Sequence, residues 1–335
     1  MSAVREPPGE AGPELSVILA SETLELSLET ISHLRAQTAA SKIELMLGIP
    51  GGVIDERHEA ELDGFHSVRA IDIHTTDGLP AARAEVIKAA SAPVVVLAET
   101  HCFPQPEWAE ALIEAHRGPW AGVGPEIDNE NPGPASWGNI LVDYSVWIAP
   151  ITTGPAADIP GHNSSYKRSL VLEYGDDLAE MLAAESILHY DLRARGHQLY
   201  MESRAKVRHR NINQIKPALV EHFYNGRTFG AERSRHWRPL HRAIYALGSP
   251  LIPLLRISRI FSHLRQKGRL ALMWPSLPMM LGSLVAHATG EMTGYLRGRG
   301  NALSMQVPFE IERDRWLVDA DSPREERRVA EPAAK

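Results

Sequence analysis

The stretch Pro93-Val94-Val95-Val96-Leu97-Ala98-Glu99-Thr100-His101-Cys102-Phe103-Pro104, continuing through Pro106-Glu107-Trp108 to His116, decides how this chain is read. Val94 to Ala98 is an apolar run without a polar break, the pattern of a strand buried on both faces of a parallel sheet. Glu99 and His101 follow where that strand ends, and ligands of open α/β sheets bind just outside the carboxyl ends of strands. Positions i and i+2 of extended chain point the same way. A carboxylate and an imidazole are therefore aimed at one point, as a pair of metal ligands would be. Pro104 and Pro106 end the turn, and Glu107 opens a helix near its positive end.

Outward from this stretch the chain alternates. Leu15–Ala20 reads as a strand, and Leu24, Leu28, Ile31 and Leu34 give a helical stripe after a Ser21 cap. Ile43–Ile49 is a second strand, closed by Pro50-Gly51-Gly52, and Val68–Ile73 a third. Pro80–Ala90 is a helix carrying Arg83. After the central strand and its helix comes a strand at 121–127, then a Gly-, Pro- and Asn-rich passage from Asp128 to Pro160, of the length that functional loops have. The segment from Gly161 to Ser169 precedes a helix to about Arg195, then strands at 197–201 and Arg204–His209. Strand–helix alternation predicts an α/β fold: a Rossmann-like, mostly parallel central sheet with helices on both faces.

Composition narrows the class. The chain has 335 residues, 44% hydrophobic and 23% charged, an ordinary globular balance. One cysteine, Cys102, excludes an internal disulfide framework and favours a reducing compartment. Residues 1–14 read as a disordered tail rather than a signal peptide, and 303–335 as a C-terminal tail whose last fifteen or so residues, rich in Arg, Glu and Ala, read as solvated. Net charge is −7, yet Arg204–Arg269 carries fifteen Lys/Arg against only Glu221 and Glu232. Such a block suits phosphates, an anionic membrane face or nucleic acid. Nucleic acid is set aside, because the block has no recognisable binding motif and the total charge is negative. Within 213–302, a basic and apolar helical region, Leu270–Ala288 has no formal charge but is broken by Pro275, Pro278 and Gly282. It reads as a membrane span, an interfacial helix pair, or a soluble core or oligomer contact.

Four segments together resemble the inverting family-2 glycosyltransferases of the GT-A fold. They are LSVILASETLELSLETISHLRAQT, DGLPAARAEVIKAASAPVVVLAETHCFPQPEWAEAL, GHNSSYKRSLVLEYG and AESILHYDLRARGHQLYMESRAKVRH. The likeness covers about residues 15–210 with its motifs in order, so 15–212 is expected to be a GT-A domain. It places the family's Asp-x-Asp metal motif on Glu99-Thr100-His101, so that Glu99, His101 and His209 form a metal site. The catalytic acid of the Glu-Asp motif falls on Glu185. Arg83 falls beside the donor diphosphate, and Ser21 and Glu22 where the first loop meets the nucleotide base. His162, Asn163 and Trp137 are assigned to the acceptor side. The sequence departs from the family in lacking Asp-x-Asp itself and the aspartate after the second strand, where LMLGIPGG carries no acid.

The resemblance implies a nucleotide-sugar donor, a lipid-linked or polysaccharide acceptor, and Mn²⁺ or Mg²⁺ as cofactor. One or two imidazoles among the ligands shift the preference toward Mn²⁺. Inversion needs a base for the acceptor hydroxyl, the role given to Glu185, with Asp191 as the alternative. Tyr144 is a further residue that would stack on a sugar, and Arg227 one that would close over the donor. The expected location is the cytoplasmic face of a membrane, through peripheral contact. The competing reading is a degenerate GT-A domain that binds nucleotide, sugar or a partner protein without turnover.

Overall fold

The computed structural model describes residues 4–5, 12–76 and 78–318. Of the expected N-terminal tail, residues 1–3 and 6–11 lie outside the described residues, as do 319–335 of the C-terminal one. Ten strands make one sheet: β1 (Val4–Arg5), β2 (Leu15–Ala20), β3 (Ile43–Ile49), β4 (Ser67–Asp72), β5 (Val94–Ala98), β6 (Cys102–Pro104), β7 (Gly122–Asn129), β8 (Gly154–Ala156), β9 (Ser165–Lys167) and β10 (Leu199–His209). The order is β1-β4-β3-β2-β5-β9-β7-β10-β6, with β8 also on β10. The neighbours β4, β3, β2 and β5 run parallel, as do β7 and β10. β9 is inserted antiparallel between β5 and β7. Chain direction reverses its order between β2 and β5, so the carboxyl ends of these two strands form the switch point at which such sheets bind ligands.

Seven helices accompany the sheet: α1 (Leu28–Arg35), α2 (Leu79–Ala89), α3 (Trp108–Ala115), α4 (Pro134–Tyr144), α5 (Arg168–Leu172), α6 (Leu178–Ala183) and α7 (Glu185–Ala194). The unbroken apolar strands are explained by cover on both faces. Val17, Leu19, Val94 and Val96 pack with Ile31 of α1 and Leu112 of α3, while Ile18, Val95 and Leu97 pack with Val86 of α2 and Leu188 of α7. Two strands expected at 197–201 and 204–209 are one, β10, whose register against β7 shifts between Glu202 and Lys206. That bulge hides the continuity, because it interrupts the period-two pattern.

A second group of helices follows: α8 (Ile215–Arg233), α9 (Pro239–Gly248), α10 (Ile252–Gln266), α11 (Met273–Arg297) and α12 (Ala302–Ile311). α8 and α11 touch backbone to backbone. A Cβ on Gly226 would lie 2.1 Å from the His287 carbonyl oxygen, and one on Gly290 would lie 2.0 Å from that of Phe223. Gly226/Gly230 and Gly290/Gly294 are each spaced by four, so small residues line one stripe of both helices, as close packing requires. The stretch Leu270–Ala288 thus supplies a packed helix, with Met280 and Leu284 fully buried. Pro239–Gln266 and Leu270–Arg297 are both long and apolar enough to cross a membrane, a weak indication of membrane association.

The tail expected from residue 303 is not one as far as residue 316. α12 and the turn Arg313–Trp316 fold back across the end of β5. Thr100 Oγ1 donates to the carbonyls of Glu310 and Ile311 at 3.4 Å, and Arg210 holds Asp314 at 3.0 Å. Apolar Phe309, Ile311 and Trp316 anchor a segment whose charges otherwise read as solvated.

Candidate active site

Glu99 is the hub. It is buried at the end of β5, where a turn rather than extended chain carries His101 back toward it. Asn163, a non-glycine residue at φ 59°, turns the chain before β9. Asparagine tolerates this left-handed conformation better than most residues, and its Nδ2 donates to Glu99 Oε2 at 2.7 Å. His162 stands beside it and bridges two carboxylates. Its Nδ1 is 2.7 Å from Glu99 Oε1 and its Nε2 is 2.9 Å from Glu185 Oε1. Glu185 begins α7, and Gly161 makes room for it: a Cβ there would lie 2.8 Å from Glu185 Oε2. Arg83 from α2 places Nη1 2.9 Å from His162 Nε2 and 3.9 Å from Glu185 Oε1.

The charges follow from this geometry. Burial works against the charged form of His162, but Glu99 and Glu185 outweigh both burial and the Arg83 charge, so its pKa is raised well above the usual imidazole value. The two carboxylates thus favour the charged ring, while Arg83 Nη1 at 2.9 Å from Nε2 opposes it. Burial likewise opposes ionisation of Glu185, yet His162 and Arg83 bring its pKa down to about 2. Glu99 is desolvated too, yet His162 beside it carries its pKa well below the carboxylate range.

On the other side of Glu99 lie His101 and His209, their rings 4.9 Å apart and edge-on. His209 Nδ1 is 2.8 Å from the Asn211 amide oxygen, which assigns the proton to Nδ1 and leaves the Nε2 lone pair facing Glu99 Oε2 at 3.7 Å. Arg313 Nη2 donates to His101 Nε2 at 2.9 Å, so that nitrogen also presents a lone pair, 3.4 Å from Glu99 Oε1. His101 Nδ1 is buried without a partner among the described residues. Burial, joined by Arg313, drives the His101 pKa well down, and burial lowers that of His209 to about 4. One carboxylate and two neutral imidazoles thus converge, with ligand atoms within 4.8 Å of one another. This donor set fits a divalent cation, and an amide fixing the far nitrogen of a ligating histidine is the usual outer support. Glu99, His162 and Glu310, two carboxylates and one imidazole, also place their ligand atoms within 4.8 Å of one another.

Glu99, His162, Glu185, Arg83 and His209 floor a cleft of about 1020 Å³, walled by α4, α7 and the helices α8–α12, while His101 lines a smaller neighbouring pocket with Arg313. Residues 29–175 match the sequence model of glycosyl transferase family 2. Over these residues the chain is similar to a family 2 glycosyltransferase domain. No curated protein matches the chain. Glycosyl transfer is the chemistry such a domain supports, with a nucleotide-sugar donor and an acceptor, and members of family 2 commonly use divalent cations.

The structure brings together Glu99, His101, His209, His162, Asn163, Arg83 and Glu185, and Tyr144 lines the same cleft. Trp137 does not join them: its ring packs on the sheet-side core, under the Arg269 guanidinium at 4.8 Å. Ser21 and Glu22 sit beyond β2, outside the cleft lining; Ser21 is buried, and Glu22 accepts from the Thr75 hydroxyl. Arg227 donates to the Gly298 carbonyl at 3.1 Å and so fastens the turn after α11. Asp191 is occupied by Tyr174 and Arg195. The Cys102 thiol is buried and its pKa pushed up, which leaves it inert. Sequence reasoning missed Glu221, Glu310 and Arg313. Arg313 is buried between His101 and Glu221, whose Oε1 it holds at 2.8 Å, and Glu310 Oε2 lies 3.8 Å from Arg83 Nη2. The only available signal was the apolar Ile311 and Trp316 on either side of Arg313.

Proposed function

We propose that the domain transfers a sugar, with inversion, from a nucleotide-sugar donor to a lipid-linked or polysaccharide acceptor, with Glu185 as base. What carries this reading is that Glu185 and Glu99, from distant parts of the chain, meet through His162 over one cleft at the switch point. In the reaction the acceptor oxygen bonds to the anomeric carbon as the bond to the diphosphate oxygen breaks, its electron pair leaving with the diphosphate. Glu185, ionised at any working pH, takes the acceptor proton. That hydroxyl grows strongly acidic as its oxygen bonds to carbon, so a carboxylate of low basicity suffices. Glu99, His101 and His209 would hold Mn²⁺ or Mg²⁺, which when bound neutralises charge on the departing diphosphate. Arg83 adds a guanidinium to the same task, and Ser21 and Glu22, at the strand end beside β5, are assigned to the nucleotide. His162 and Asn163 fix the two carboxylates and face the acceptor. The exposed apolar helices suit peripheral contact at the cytoplasmic face of a membrane.

A second reading has its own observation. Arg313 engages the His101 lone pair that a cation would use, as expected of a domain that binds nucleotide or sugar without turnover. Thermal melts of the full chain with UDP-, GDP-, CDP- and dTDP-sugars, with and without Mn²⁺, separate the two, because ligand that binds the folded state raises stability by mass action. A Mn²⁺-dependent rise with one donor, lost in His101→Ala, together with release of free nucleotide, is the expected result. A rise without nucleotide release would establish the binding module instead.

A further inference from the structure

Accepting the glycosyl-transfer reading, we propose that the acceptor is a sugar carried on a membrane lipid through a phosphate or pyrophosphate, and that Arg233, Arg256 and Arg259 form its phosphate subsite at the mouth of the cleft.

The mouth is defined by Ile244, Leu251 and Leu255, which line the cleft and are also 57%, 59% and 56% exposed. Beside them Leu247 and Leu254 are 82% and 66% exposed. A cleft that reaches buried carboxylates therefore opens onto a ridge of leucines, and contiguous exposed apolar surface marks an interaction site. The ridge is basic as well. Pro239–Gln266 carries Arg242, Arg256, Arg259 and Arg265 and no acid. An apolar, wholly cationic helix pair complements an anionic bilayer face.

Three arginines continue this charge into the cleft. Arg256 and Arg259 are three apart on α10 and so share a face; Arg233 comes from the end of α8. Among the described residues Arg233 and Arg259 have no ion pair, and Arg256 has only a long one. Arg256 donates to the Val142 carbonyl at 2.7 Å, with Asp143 no nearer than 4.0 Å. Arg233 reaches the Tyr295 hydroxyl at 3.4 Å and stacks over the Tyr245 ring at 5.0 Å. The neighbouring acid, Glu291, is taken up by Tyr295 at 2.9 Å and His287 at 3.3 Å. Guanidinium groups with spare donors, lining the same cleft as the apolar lip and Glu185, match the parts of such a lipid: chain in the bilayer, phosphate at the arginines, sugar hydroxyl toward Glu185. The cleft, about 1020 Å³, has room for the donor sugar and this head group together.

The test is flotation of the full-length protein with phosphatidylcholine vesicles containing a long-chain isoprenyl phosphate, against vesicles brought to the same surface charge with phosphatidylglycerol. The isoprenyl phosphate vesicles should bind at least about tenfold more tightly, a difference of about 1.4 kcal/mol. The paired substitution Arg256→Gln with Arg259→Gln should erase that preference while retaining wild-type melting and donor-induced stabilisation. Leu251→Ser with Leu254→Ser should weaken binding to both vesicles. Equal affinity for the two lipids would overturn the phosphate subsite, and so would full displacement by soluble inorganic phosphate. Failure to bind any vesicle would overturn the membrane lip. Glu185→Gln should float like the wild type. A lipid preference in a chain that never releases nucleotide would retain the subsite and remove the transferase reading.

Discussion

Replacing Arg313 by alanine should destabilise the fold and tighten cation binding at once. Arg313 and Glu221 are 5% and 6% exposed at the side chain and 2.8 Å apart. Removing one partner of a buried pair strands the other charge, at a cost of about 3–5 kcal/mol. With unfolding entropy of about 2.1 cal/mol/K per residue, a chain of this length has about 0.7 kcal/mol/K, so 4 kcal/mol lowers the melting temperature by about 6 °C. Burial already raises the Glu221 pKa, against the pull of Arg313. Without Arg313 it rises further. A carboxyl group with a raised folded pKa binds more protons folded than unfolded. The variant's deficit therefore grows as pH rises from the already raised value of the intact protein through the higher one of the variant, and is least below both. Adding Glu221→Gln should restore most of the loss, with a coupling of about 2–3 kcal/mol in the double-mutant cycle. The same alanine frees His101 Nε2 and removes a positive charge beside Glu99, so Mn²⁺ measured by titration calorimetry should bind at least about tenfold more tightly. Coupling under about 1 kcal/mol, or a deficit independent of pH, would show that the pair is solvated. Unchanged Mn²⁺ affinity would show that Arg313 and the cation do not compete.

Glu185→Gln should lower turnover by about 10²–10⁴-fold and leave donor-induced stabilisation intact; comparable turnover removes Glu185 as base. Gly161→Ala puts a methyl group against the Glu185 side chain, so turnover should fall about tenfold or more while the melting temperature changes little; normal activity would mean that Glu185 has slack. His116, buried with Nε2 2.9 Å from Ser165 Oγ, is lowered to about 3, first by burial and then by Lys167. A depressed histidine gives stability that is complete above about 6.5 and lost as pH falls toward 3, by up to about 4–5 kcal/mol. His116→Gln should flatten that part of a denaturation series; an unchanged acid limb assigns it to other groups.

What could be read from the sequence follows the distance over which each feature is determined. The strands β2, β3 and β5 were legible because burial on both faces leaves no polar position in them, and that pattern is local. Glu99, His101 and His209 were placed together by matching the order of motifs. Their convergence is physical: β6 pairs antiparallel with β10, setting Cys102 opposite His209 and so bringing the two histidines to the same sheet edge. The bridge His162 makes between two carboxylates was not legible, since it depends on neighbours 63 positions before it and 23 after it, at 99 and 185. Trp137 illustrates the reverse error: an aromatic residue near a predicted site is spent on packing, because α4 turns that face inward. Arg313 was hidden for a third reason. Its surroundings, Glu312-Arg313-Asp314-Arg315, have the composition of a solvated tail, and only return of the chain over Thr100 buries one of these four charges. A helix group read as a possible membrane anchor thus also closes the catalytic cleft. The helices α8–α12 and the turn Arg313–Trp316 belong to the site as much as the sheet does, since the helices supply its far wall and apolar mouth and the turn its internal cation.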